Sequence, residues 1–308
     1  MNLNQENIND FLNKYISFVD EISENNNYDN NIRHLLYVIV PSFVIKYGIN
    51  NELTIKECFK NIKVYVREHP EYIQAAFNRT LKKKDNNYYT EKYITVNPFT
   101  NSSLSVILDN FIHEFNHAIN SYNNEIILKD DMIKIRTGLS TLNYNREDMS
   151  FIEKSEEIVL EELLNTSQTE EIFNIIKSFN KFNIDNQELS NTLYNVKQEN
   201  NVKDYESEAY YYQKKICERL INNKTFTPTI NNLRFKGFIE DIPNLFDNVT
   251  GDKNDYKKLN DLLNDMHTMI LKYSESKLFK GKYLSKIKEL SNGVTRIIDD
   301  YEKKCIFK

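Results

Sequence analysis

Two histidines and a glutamate stand close together in the segment ILDNFIHEFNHAINSY, residues 107–122. His113 and His117 are four residues apart, and Glu114 directly follows the first of them. Residues four apart share one face of an α-helix, so the two imidazoles can bind the same metal ion. Glu114 lies on the adjoining face, from which its carboxylate can take a proton from a metal-bound water. The pattern predicts a Zn²⁺ site with His113 and His117 as ligands and Glu114 as general base.

The surroundings of this motif favour a functional site over coincidence. The chain has only five histidines, so this spacing beside a glutamate is uncommon by chance. Ser102 or Ser103 is placed to cap a helix that runs through the motif to about residue 122. The competing interpretation is a pair of surface histidines on an amphipathic helix. Apolar residues at helical spacing favour a helix that packs into a core: Val106, Leu108, Ile112, Phe115 and Ile119.

The third zinc ligand is the open question, because a catalytic zinc takes three protein ligands and keeps one position free. An extended motif with a glycine and a third histidine is excluded, since Asn120 and Asn123 occupy those positions. The acidic segment EEIVLEELLNTSQTEEI, residues 156–172, offers Glu161 and Glu162, which lie 44 and 45 residues beyond His117 (161−117 and 162−117). Apolar residues flank the pair, and a buried carboxylate is costly unless it is paired or bound to a metal. Either glutamate is therefore a candidate ligand.

The sequence HEFNH at residues 113–117, followed by an acidic helix, resembles the zincin metallopeptidases, specifically the thermolysin-like Glu-zincins. ELLNT at residues 162–166 is loosely similar to the E-G-x-T-E stretch of that family, and Glu161 with Asn165 to its E-x-x-x-D stretch. Leucine replaces the glycine, and the second acid is missing. The resemblance covers about 60 residues. It implies one Zn²⁺ per chain held by His113, His117 and Glu162, with Glu161 as the alternative third ligand.

The resemblance also implies an activity, which is hydrolysis of peptide bonds by a zinc-activated water with Glu114 as general base. An edge strand of the zincin sheet binds the peptide or protein substrate, and the predicted strand 88–97 is expected to be that edge. A zincin usually has a donor that stabilises the oxyanion. The candidates for that donor are Tyr210, Tyr211, Tyr212 and His267.

The hydrophobic periodicity predicts an α+β, predominantly helical fold, in which a zincin-like small mixed sheet and the active-site helix precede a helical C-terminal half. Two domains are expected, 1–124 with the sheet and motif helix and 125–308 with the third ligand, as one catalytic unit. A hairpin turn is expected at KKDNN (83–87), a second turn at Gly138 within a β excursion over 132–145, and linkers at 223–232 and 247–255. Helices are predicted at 8–22, 31–47, 54–61, 152–179, 186–222, 255–273 and 280–303, and strands at 62–66, 72–82 and 88–98.

Composition narrows the class of protein. The net charge is −5 and no basic face stands out, so we expect no nucleic-acid partner. Three distant cysteines predict neither disulfides nor a cysteine-rich zinc site. The longest apolar run, residues 35–45, is too short to span a bilayer, and no signal peptide precedes it, so we expect a cytoplasmic protein without a membrane partner. Export without a signal peptide stays open, as do two rival functions: a non-catalytic zincin-like protein that binds peptides or a partner, and a helical interaction protein.

Overall fold

The computed structural model describes residues 4–68, 75–98, 104–155, 157–198, 208–276 and 278–305. Helices dominate these ranges and two small sheets accompany them, which confirms the predicted α+β, predominantly helical class. The helices are α1 (Ile8–Asn26), α2 (Asn30–Tyr47), α3 (Glu52–Asn61), α4 (Leu104–Tyr122), α5 (Ile158–Phe179), α6 (Gln187–Gln198), α7 (Glu208–Ile221), α8 (Phe226–Lys236), α9 (Ile242–Thr250), α10 (Asp255–Glu275) and α11 (Lys280–Cys305). The strands are β1 (Lys63–Val66), β2 (Ala75–Lys84), β3 (Asn87–Val96), β4 (Ile126–Lys129), β5 (Met132–Thr137), β6 (Ser140–Asn145) and β7 (Phe151–Lys154).

The chain divides into two compact units. The first comprises Met1–Ile119 and Gln168–Tyr205, and the second comprises Asn120–Ser167 and Glu206–Lys308. The division into 1–124 and 125–308 stays a prediction. The expected caps Ser102 and Ser103 lie outside the described residues, as does the middle of the predicted helix 186–222, of which α6 and α7 are the two ends.

In the first unit, aromatic side chains hold α4 against two earlier helices. The ring of Phe59 on α3 lies 5.5 Å from Phe43 on α2 and 4.4 Å from Phe115 on α4, measured between centroids. All three side chains are buried. Such aromatic pairs stabilise a core beyond their buried area. Phe115, inside the HEFNH motif, therefore anchors the helix that carries the histidines.

The sheet of the first unit has three strands in the order β1-β3-β2, with β1 parallel and β2 antiparallel to β3. Asp85 and Asn86 connect β2 to β3 and both have positive φ, 49° and 64°, as a two-residue type I′ hairpin requires. The predicted hairpin is confirmed. The expectation that strand 88–97 forms the sheet edge is wrong, because β3 is the central strand. Alternating hydrophobicity marks a strand but does not tell which strands will pair with it.

The sheet of the second unit is antiparallel in the order β4-β5-β6-β7. Its β5–β6 hairpin turns at Gly138, whose φ is +57°, as the sequence predicts. The flanking strands β4 and β7 have four residues each, too short for a periodicity signal. The predicted start of a helix at residue 152 is wrong, because β7 occupies Phe151–Lys154. A strand this short gives no periodicity by which the sequence could reveal it.

The predicted linker 223–232 is wrong, since α8 occupies most of it. Asn223 Oδ1 accepts a hydrogen bond from the N–H of Phe226 at 2.9 Å and so satisfies a donor at the start of that helix. Pro228 lies in the first turn, where no intrahelical N–H bond is lost. The following α9 also occupies the first half of the predicted linker 247–255.

Among the described residues, no single helix is long and apolar enough to cross a membrane. One pair of consecutive helical segments, Asn30–Tyr47 and Ile49–Asn61, has the length and composition of a membrane span when the two are taken together. The two segments are bent by 113° relative to each other.

Candidate metal centre

The two histidines of α4 converge on one point. The Nε2 atoms of His113 and His117 are 3.2 Å apart, and their rings are 4.8 Å apart and nearly perpendicular. His117 is buried, and His113 is half-buried. Phe115 and Asn116 between them face the interior, so the turn of helix that joins the histidines is held on its buried side. The four-residue spacing in the sequence thus places the two imidazole nitrogens close together in the structure.

The separation of these nitrogens tests whether a zinc ion fits. Two nitrogens at about 2.05 Å from a tetrahedral zinc lie about 3.3 Å apart. The observed 3.2 Å between the Nε2 atoms matches this geometry. Imidazole nitrogen is also a preferred donor for zinc. The pair therefore fits a shared Zn²⁺ ion.

Glu162 completes a group of three donors. One nitrogen of each histidine and one carboxylate oxygen of Glu162 all lie within 4.8 Å of one another. Among the described residues, no other group of three His, Cys, Asp or Glu side chains meets this criterion. Two neutral imidazoles and one carboxylate form the His₂Glu set of thermolysin-type zinc sites. The roles of these residues stay predictions, and the structure brings them together.

Glu161, the alternative ligand, has a different environment. Its carboxylate accepts two hydrogen bonds from the guanidinium of Arg234, one of them at 2.9 Å, and one from the N–H of Leu139 at 2.7 Å. Both side chains are almost completely inaccessible to solvent. A buried carboxylate needs such partners, because isolated burial of its charge is very unfavourable. Arg234 lies 73 residues further along the chain, so no local sequence pattern indicates this pair.

Glu114 is half-buried on α4 and contacts the sheet. Its Oε2 accepts a hydrogen bond from the backbone N–H of Phe77 on β2, with an N···O distance of 2.6 Å. A backbone donor cannot be recognised from residue types, so sequence reasoning missed Phe77. The contact orients the carboxylate of the predicted general base.

A buried polar network holds the opposite side of the motif. Asn116 Oδ1 accepts a hydrogen bond from the hydroxyl of Tyr47, and Asn116 Nδ2 donates to Gln168 Oε1 at 3.3 Å. Asn116 and Gln168 are buried. A satisfied buried network fixes one arrangement of its side chains. It therefore sets the rotation of α4 about its axis, on which the direction of the histidines depends.

Two of the predicted oxyanion donors form a pair. Tyr210 stacks on His267 with 4.9 Å between ring centroids, and Gln213 Nε2 lies 3.4 Å from His267 Nδ1. Burial raises the pKa of the Tyr210 phenol, and the negative charge of Glu162 raises it further. The phenol therefore stays protonated at neutral pH and can donate a hydrogen bond. Tyr211 and Tyr212 are exposed, with 42% and 54% of their surface accessible to solvent.

Comparison with known proteins identifies no relative. No protein-family model, curated protein or solved structure matches this chain. The resemblance to zincins consequently rests on the motif at residues 113–117 and on the acidic residues of α5.

Proposed function

We propose that the protein is a zinc-dependent metallopeptidase. The observation that carries the proposal is the 3.2 Å separation of the His113 and His117 Nε2 atoms, beside the carboxylate of Glu114. Glu162 supports it, because its carboxylate belongs to the same group of donors. A pure metal-binding site has no need of a general base one residue from a ligand.

The side chains of the site have two separate roles in hydrolysis, metal binding and proton transfer. His113, His117 and Glu162 would hold the zinc ion, which as a Lewis acid acidifies water and polarises a carbonyl. Glu114 takes a proton from the water whose oxygen adds to the peptide carbonyl carbon. The same carboxylate then delivers that proton to the departing amine as the C–N bond breaks. The atoms balance as one water consumed and one amine and one carboxylic acid formed.

Metal content is the first test. Wild-type protein dialysed against trace zinc is expected to retain one Zn²⁺ per chain by elemental analysis, while His113→Ala and His117→Ala lose it. His34→Ala is the matched control, because His34 lies on α2 beside Glu188 and outside the group of donors. A wild-type protein that retains no zinc would contradict the proposal, since 3.2 Å between two imidazole nitrogens also suits an N–H···N hydrogen bond.

Hydrolysis is the second test. Glu114→Gln is expected to keep its zinc and to lose about 10²–10⁴-fold in turnover of a fluorogenic peptide library, because it cannot accept the proton. Normal turnover by Glu114→Gln would contradict the proposed mechanism. A wild-type protein that holds zinc but cuts no peptide would favour the non-catalytic, peptide-binding alternative.

A further inference from the structure

The hydrogen bond between Phe77 and Glu114 joins an outer strand of the first sheet to the proposed general base. Phe77 pairs with Ile94 across the β2–β3 ladder. In an antiparallel ladder, the N–H groups of alternate residues point toward the partner strand or away from it. Since the Phe77 N–H reaches Glu114, it points away from β3, and the amide of Ala75 points the same way. The outer edge of β2 thus carries outward-pointing donors, of which the Phe77 N–H reaches Glu114 on α4.

Two features make this contact specific. The N···O distance of 2.6 Å is short for an N–H donor, as expected when the acceptor is a carboxylate. The side chain of Phe77 is held separately, with the Arg79 guanidinium 5.2 Å from the ring centroid. The β2–β3 ladder fixes the backbone at this position, and the ring contact holds only the side chain.

We propose that the backbone amide of Phe77 is the positioning group for Glu114. This inference rests on the proposed peptidase function. The Phe77 N–H binds Oε2 of Glu114 and so limits the rotation of the Glu114 side chain, which has three rotatable bonds. Oε1 of Glu114 is then the oxygen that receives the proton from water. Because an N–H is only a donor, it cannot compete for that proton. A catalytic group that is misplaced by about 1 Å can lower the reaction rate about 100-fold.

Amide hydrogen exchange tests the contact without any reference to activity. In protein labelled with ¹⁵N at phenylalanine and alanine, the Phe77 amide is expected to exchange at least about tenfold more slowly than that of Ala75, because both face the strand edge but only Phe77 has the Glu114 acceptor. The protection should disappear in Glu114→Ala. Equal exchange of the two amides in the wild-type protein, or protection that survives Glu114→Ala, overturns the proposal.

Kinetics test the consequence. Phe77→Pro removes the N–H and is expected to lower kcat about 10–100-fold, with KM within about threefold of wild type and zinc content unchanged. Phe77→Leu keeps the amide and removes the ring. Ala75→Pro removes a neighbouring amide at the strand start, where proline is tolerated. Both controls are expected to keep kcat within about threefold of wild type.

Several results overturn the positioning role. A loss in Phe77→Leu as large as in Phe77→Pro would assign the effect to the ring, and an equal loss in Ala75→Pro would assign it to the strand. A loss carried by KM would assign it to substrate binding. Should Phe77→Pro not fold, phenyllactate at position 77 replaces the N–H by an ester oxygen and keeps the ring, with the same expected loss of kcat.

Failure of the inference and failure of the proposed function give different results. An active wild-type enzyme with an unprotected Phe77 amide overturns only the positioning role. A protected amide in a protein that binds zinc and cuts no peptide overturns the peptidase function, and with it the catalytic value of the contact.

Discussion

Glu161 and Glu162 are neighbours on α5 with opposite surroundings. Glu161 is buried, and its carboxylate is neutralised by Arg234 and bound to the N–H of Leu139. Glu162 is half-buried, and its carboxylate lies with the two histidine nitrogens of α4. Consecutive residues of a helix differ by about 100° in direction, so an acidic pair can serve two separate purposes.

The comparison separates a buried ion pair, which affects stability, from a proposed zinc ligand. The Glu161–Arg234 pair belongs to the second unit's core, where removal of one partner leaves an uncompensated charge. Glu162 is the proposed anionic ligand of the zinc ion. Substitutions on the Glu161 side should therefore change unfolding, and those at Glu162 should change zinc affinity.

The largest expected effect is on the Glu161 side. Arg234→Met should lower the free energy of unfolding by about 3–5 kcal/mol, because it strands the buried carboxylate of Glu161. Arg219→Met is the control, since Arg219 is half-exposed and pairs with Asp299 and Glu302 at the surface. Its loss should stay below about 1 kcal/mol. Urea unfolding followed by circular dichroism measures both, and equal losses would remove the distinction between a buried and an exposed pair.

Gly138 tests how closely the chain packs on Glu161. A Cβ at this position would overlap both carboxylate oxygens of Glu161. Gly138→Ala should therefore destabilise the protein by about 1–3 kcal/mol more than Gly251→Ala, the overpacking penalty. Gly251 is the matched control because its φ is also positive, 76°, while its Cβ would meet only Lys304 at an ordinary contact distance. Thermal unfolding measures both variants. An equal fall in melting temperature would mean that the Glu161 side chain moves aside freely.

Glu162 tests the other side of the comparison. Glu162→Gln should weaken zinc binding by more than about 100-fold, because an anionic ligand becomes a neutral one. The unfolding free energy of the zinc-free protein should change by less than about 0.5 kcal/mol. Competition with a fluorescent chelator measures the affinity. Glu170→Gln, at an exposed position of the same helix, should leave the affinity at its wild-type value. Unchanged affinity in Glu162→Gln would exclude it as a ligand.

The smallest effect appears only at alkaline pH. Tyr256 is fully buried, and its burial raises the pKa of its phenol above the usual 10.0, with the charges of Glu157 and Glu161 acting in the same direction. Above about pH 10 the unfolded chain loses this proton while the folded protein keeps it, so stability falls as pH rises. Tyr256→Phe should reduce that fall by up to about 1.4 kcal/mol per pH unit.

Urea midpoints between pH 8 and 11 measure this slope. Tyr211→Phe is the control, because Tyr211 is 42% exposed. A slope unchanged by Tyr256→Phe would show that its proton is released equally from both states.

Local patterns predicted much of the first unit and less of the second. Helical spacing predicts the motif helix over the residues that α4 occupies, and the turn residues Asp85, Asn86 and Gly138 mark the β2–β3 and β5–β6 hairpins. The interval 223–232 contains a helix start instead of the predicted linker, because proline and asparagine occur in loops and at helix starts alike. The central position of β3 differs from the predicted edge, since strand pairing is a long-range property.

The sequence by itself determined that His113 and His117 share a helix face with Glu114 beside them, because that relation needs only the helical repeat. The tertiary structure alone decided which glutamate lies with the histidines and which is bound to Arg234, and it supplied the Phe77 amide to Glu114. The physical reason is that a carboxylate's partner is chosen by proximity in space, and Arg234 and Phe77 come from segments 73 and 37 residues away from the glutamates they contact.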